Sequence, residues 1–158
     1  LHDSPGMIFI NLPISRLKDL AVKAIKNGEA LWFSADVGKA HDPEGCLGEE
    51  YYALEELYGV DLSLEKADRL TFRDSVPNHA MAFIGVDIVG GKTRKWLGEN
   101  SWGEERGRKG MWTMSDPWFD EYVYGLIINS RYLPRDVRKV LKQTPVDLPF
   151  YDPVWGRY

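Results

Sequence analysis

Apolar residues recur at Ile14, Leu17, Ala21, Ala24 and Ile25, the three- and four-residue spacing that gathers one stripe on a helix. A helix is therefore predicted over 13–27. Gly28 is its C-terminal stop, and Lys23 and Lys26 lie in the last turn, where the helix dipole favours cations. Residues 30–35 form a short apolar run with two aromatics, ended by Asp36 and Gly38, and are predicted as a buried strand. The stretch 38–48, rich in glycine and charge, is predicted as a loop. A second helix is predicted over 49–58, with acids in its first turn and Gly59 as its stop.

From Leu70 onward the pattern turns to strand type. Residues 80–86 are apolar on both faces, 94–99 lead into Asn100, and 110–114 and 122–129 are short aromatic and β-branched runs. Gly90-Gly91 predicts a tight hairpin between the first two runs. A last helix is predicted over 134–142, with Leu133, Val137, Val140 and Leu141 on one stripe. Residues 144–158 carry three prolines and should be extended. Helices first and an antiparallel sheet afterwards indicate one α+β domain over 1–158.

The hairpin assembles candidate chemistry. With Gly90-Gly91 as a two-residue turn, Val89 pairs with Lys92 and partner positions total 181, which sets His79 opposite Trp102 and makes Asn100 its diagonal neighbour on the same face. An Asn oxygen that accepts from one ring N–H fixes the imidazole tautomer and frees the other nitrogen for proton transfer, while an indole shields that bond from water. This is two-thirds of a nucleophile–His–orienter triad in its Cys-His-Asn form. The same residues also fit a half-buried histidine satisfied by a sheet amide.

The strings Asn78-His79-Ala80-Met81, Glu99-Asn100-Ser101-Trp102-Gly103 and Gly107-Arg108-Lys109-Gly110 resemble the His and Asn motifs of papain-like cysteine peptidases. Four further strings resemble the bleomycin hydrolase and aminopeptidase C branch: Gly28 to Phe33, Asp36 to Lys39, Ala67 to Phe72 and Trp118 to Tyr124. The resemblance covers nearly the whole chain. It implies a papain-like fold, mainly its antiparallel barrel-like lobe with flanking helices, and a cytoplasmic aminopeptidase that acts on peptides without a cofactor and assembles as a homo-oligomer, a hexamer by family habit.

In that setting His79 would pair with a Cys thiolate and protonate the leaving amine, Asn100 would orient it and Trp102 would cover it. The Tyr158 carboxylate would be a possible substrate gate, although Val154 to Tyr158 depart from the small residues expected there. The family's nucleophile sits in a Gly-x-Cys-Trp context after a Gln, and neither is found here. The chain thus reads as a C-terminal portion that is inactive alone. A site between two lobes would leave an exposed apolar patch near His79. A noncatalytic interaction or assembly module that keeps the fold is the alternative.

Composition narrows the choice. Net charge is −4, so no global basic field exists to hold nucleic acid or an anionic membrane. The basic residues Arg131, Arg135, Arg138, Lys139 and Lys142 fit the wet side of a helix. Cys46 is the single cysteine, which excludes an intrachain disulfide. It lies in an acidic loop with Leu47 where the nucleophile motif has Trp, so an ordinary loop thiol is expected. His41, Asp42, Glu44 and Cys46 lack a recognisable metal-ligand spacing, and no metal is expected.

Overall fold

The computed structural model describes residues 8–48 and 53–155. Helix α1 (Ile14–Lys26) follows the predicted stripe, with Leu20, Ala21 and Ala24 buried and Gly28 at positive φ just beyond its end. Strands β1 (Leu31–Ala35), β4 (His79–Val89), β5 (Lys92–Glu99), β6 (Met111–Ser115) and β7 (Val123–Ile127) form the body of the sheet. The predicted loop at 38–48 holds two short strands, β2 (His41–Asp42) and β3 (Cys46–Leu47). The sheet runs β2-β3-β6-β5-β4-β1-β7, antiparallel except for the β3–β6 pair. Just before these two strands, two glycine backbones approach closely. A Cβ on Gly45 would come within 2.7 Å of the Gly107 Cα.

The β4–β5 register is the expected one at both ends and shifted in the middle. Val89 pairs with Lys92 and Ile88 with Thr93, then Asp87 with Lys95 and Val86 with Trp96, and finally Phe83 with Gly98 and Ala82 with Glu99. Arg94 is the extra residue of one bulge and Ile84 of the other. Because they lie on opposite strands, the second bulge cancels the first. Gly90 and Gly91 both have positive φ, as a two-residue hairpin turn requires.

Strand periodicity sends Phe33, Met81 and Phe83 to one face, where Phe33 stacks on Phe83 at 3.8 Å and Phe83 on Phe119 at 5.5 Å. Phe119 belongs to α4 (Asp116–Tyr122), which buries Trp118, Phe119 and Tyr122 and begins at Ser115, whose hydroxyl accepts the Trp118 N–H. The sequence pattern predicts strand only from Tyr122, the last residue of this helix, and the helix starts on its Ser-Asp-Pro cap. Asp116 joins three elements by accepting from Lys18 of α1 at 2.7 Å and from the Trp96 indole at 3.0 Å. Burial raises its carboxyl pKa, but the hydrogen bonds from Lys18, Thr93 and Trp96 outweigh that and hold it below the usual range.

Three other expectations change. Leu70 lies in helix α3 (Lys66–Thr71), not at the onset of strand, because α3 docks through charged side chains and has no apolar stripe to read. Arg69 is buried at 9% exposure, with salt bridges to Asp74 and Glu121. The predicted helix over 49–58 is seen as α2 (Leu54–Tyr58), since Ala53 before it takes a left-handed conformation; residues 49–52 lie outside the described ones. The last helix, α5 (Arg135–Val140), buries Val137 but leaves Val140 and Leu141 exposed. In its basic group, Arg138 donates to the Leu133 and Arg131 carbonyls, and Arg131 pairs with Glu29. The tail is without regular structure up to a 3-10 turn at Pro153–Trp155, closed by the Trp155 N–H on the Asp152 carbonyl.

Lys66 supplies a pH test of this packing. Its ammonium donates to the Val123 carbonyl at 2.6 Å and lies 5.2 Å from the Tyr124 ring centre. Burial pushes its pKa down to about 8, against the attraction of Glu121 and Asp120 and with added repulsion from Lys18. The folded value lies below the unfolded one, so between them the unfolded chain binds more protons and this group's contribution to stability rises with pH. The stability of the wild type relative to Lys66→Met, measured by urea unfolding, should be flat below pH 8 and climb from pH 8 towards 10.5. A flat or falling difference above pH 8 would contradict the burial argument.

Candidate functional site

His79 opens β4 and Asn100 follows the last residue of β5, so the cancelled bulges bring them to the same end of the sheet. The His79 Nε2 lies 2.8 Å from the Asn100 Oδ1. The Ser101 backbone N–H donates to the same oxygen at 2.8 Å. An atom facing that donor is an acceptor, which assigns the amide oxygen to this position; Nε2 then carries the proton and donates, leaving Nδ1 as the second ring nitrogen. Asn100 is 7% exposed, and its Nδ2 has no partner among the described residues. Its backbone is held by its own N–H on the Gly110 carbonyl at 2.9 Å.

The Trp102 ring lies 4.6 Å from the imidazole and edge-to-face with Trp112 at 5.4 Å. Trp112 is buried, so the second indole backs the first from the core side. Trp102 itself is 48% exposed and forms apolar surface beside His79. Other large exposed apolar groups lie elsewhere, including the cross-sheet neighbours Trp32 and Ile127 and much of 54–72.

A group that sequence reasoning passes over fastens the His79 segment from the other side. Asp36, just past β1, is 5% exposed, and its carboxylate accepts from the Asn78 side-chain amide and from the Val76 N–H. Asn78 in turn accepts from the Val37 N–H and donates its own N–H to the Ala35 carbonyl. A lone acid ending an apolar strand was the available signal.

Cys46 is elsewhere. It pairs with Thr113, which pairs with Leu97, which pairs with Gly85. Three strand spacings, about 14 Å, and six residues along β4, about 20 Å, therefore lie between it and His79. Its sulfur accepts from the Thr113 hydroxyl at 3.6 Å beside a hollow of about 200 Å³. The neighbouring Asp42 accepts the Glu44 N–H, an Asx turn that shapes the β2–β3 connection. Tyr158 lies outside the described residues. The tail before it meets Arg73, which donates to the Tyr151 carbonyl at 3.3 Å, and Phe9, 5.9 Å from Trp155. Among the described residues no helix is long and apolar enough to cross a membrane.

An antiparallel sheet with one parallel pair, β3–β6, flanked by helices and carrying a His-Asn bond at one end, is a lobe of the papain-like α+β class. The model of the Peptidase C1-like family matches residues 1–155, and the chain belongs to that family. It is 43% identical over 149 residues to aminopeptidase C of Lactobacillus delbrueckii subsp. lactis, covering 92% of this chain and 33% of that protein. It is 43% identical over 152 residues to human bleomycin hydrolase, covering 93% and 33%. The crystal structure of PepW from Lactobacillus rhamnosis HN001 matches with a TM-score of 0.88 at 43% identity, over 92% of this chain and 34% of PepW. The chain thus spans about a third of the length of these relatives.

Proposed function

We propose that this chain is the imidazole-bearing portion of a cysteine aminopeptidase, with His79 and Asn100 as its catalytic pair, Trp102 as their cover and the nucleophilic thiol supplied by residues outside this sequence. The observation that carries the reading is the 2.8 Å bond between His79 Nε2 and Asn100 Oδ1 beside an indole. With Nε2–H committed to the amide, Nδ1 takes the thiol proton as the thiolate forms and returns it to the leaving amine once sulfur has attacked the carbonyl. The relatives' names support an aminopeptidase acting on peptides. The same resemblance supports a cytoplasmic homo-oligomer and a gating role for the Tyr158 carboxylate.

Complementation tests the reading. The chain alone should hydrolyse no aminoacyl-p-nitroanilide, because Cys46 is remote from His79. Joined to the complementary two-thirds of the Lactobacillus aminopeptidase C, it should restore turnover, and Cys46→Ser should leave that turnover within about twofold. Cys46-dependent activity of the isolated chain would overturn the assignment of the thiol. A folded chimera with no turnover would favour a noncatalytic module.

A further inference from the structure

We propose that Asp36 is a positioning residue for His79, acting through Asn78; the assignment rests on the peptidase reading above and adds a residue to it. Four hydrogen bonds close around the segment that delivers His79 to the sheet. The Asp36 Oδ1 accepts from Asn78 Nδ2 at 2.5 Å and its Oδ2 from the Val76 N–H at 3.3 Å. In return, the Asn78 Oδ1 accepts from the Val37 N–H at 3.1 Å and the Asn78 N–H donates to the Ala35 carbonyl at 3.1 Å. Pro77, between the two donors, has no N–H to contribute. The ring direction of His79 depends on the backbone at Asn78, and that backbone is fixed from both sides.

A carboxylate suits this place because both of its partners are donors. An amide at position 36 would turn an NH₂ group towards one of them. Asp36 is 5% exposed, and both of its oxygens are met by N–H donors. A hydrophobic residue would close the end of β1 more cheaply. What it could not do is grip Asn78.

The test uses the complete peptidase carrying this portion and measures kcat and KM for Asp36→Ala, Asp36→Asn, Asn78→Ala and the Asp36→Ala/Asn78→Ala double variant, with circular dichroism to confirm folding. For Asp36→Ala and Asn78→Ala, kcat should fall about tenfold or more with KM within about twofold, as expected when a reacting group is misplaced but binding is kept. The double variant should be no worse than the weaker single, because both substitutions break one linkage. Asp36→Asn, which keeps one accepting oxygen, should fall between wild type and Asp36→Ala, and it carries the test with Asn78→Ala if Asp36→Ala does not fold. In NMR spectra, the His79 Hε2 resonance should be visible in the wild type and broadened by exchange in both single variants. A folded Asp36→Ala enzyme with kcat within twofold of wild type, or effects that multiply in the double variant, would overturn the assignment. Full activity of His79→Ala would instead remove the peptidase reading beneath it.

Discussion

Replacing His79 by alanine in the complete peptidase is expected to cut kcat about a thousandfold or more while leaving the fold intact. The size follows from position. The imidazole is the first side chain of β4, bonded at 2.8 Å through Nε2, with Nδ1 as the nitrogen for the thiol proton. Without it the thiol remains largely protonated near neutral pH and the leaving amine has no acid at hand. The fold should survive because His79 is only half buried and the hydrophobic face of β4 rests on Met81 and Phe83, both almost fully buried. Single-turnover and steady-state rates on an aminoacyl-p-nitroanilide, beside a thermal melt, provide the check. A folded variant that keeps more than a tenth of the wild-type kcat would exclude His79 as the proton carrier.

The site was legible in the sequence because it depends on a local device. The glycine pair fixes a two-residue turn, and from there pairing can be counted to His79 and Trp102. The predicted register holds again at Phe83–Gly98 and Ala82–Glu99 although two bulges lie along the way, since Arg94 and Ile84 are on opposite strands and their shifts cancel. One bulge alone would have displaced Asn100 by one residue and reversed the face it presents. Asp36 was not legible because its partner lies 42 positions away and the link is made by polar side chains that leave no periodic trace. The same physical reason hid α3, which is held by Lys66 and Arg69 and not by an apolar stripe. Helix α4 leaves no readable stripe, because its three buried aromatics, Trp118, Phe119 and Tyr122, are residues equally at home in a strand.

For Asn100, alanine is expected to lower kcat about a hundredfold with little change in KM, a smaller loss than at His79 because the imidazole stays in place. Two functions disappear together. The Nε2–H loses the acceptor that fixes its tautomer and direction, and the Ser101 N–H loses the oxygen it shares with His79. The first is a loss in catalysis, since a freely turning ring presents Nδ1 to the thiol only part of the time. The second is a loss of stability of about 1–3 kcal/mol if the Ser101 amide finds no water in exchange. Asn100→Gln separates them. Its oxygen remains an acceptor but sits one methylene further from the backbone, in a site 7% exposed, so it can serve one donor and not both. A glutamine variant that recovers stability without recovering kcat would show that the orientation of His79, beyond the satisfaction of a buried N–H, is what Asn100 contributes. Recovery of neither would leave the two effects joined, and an alanine variant with kcat within threefold of wild type would exclude the orienting role.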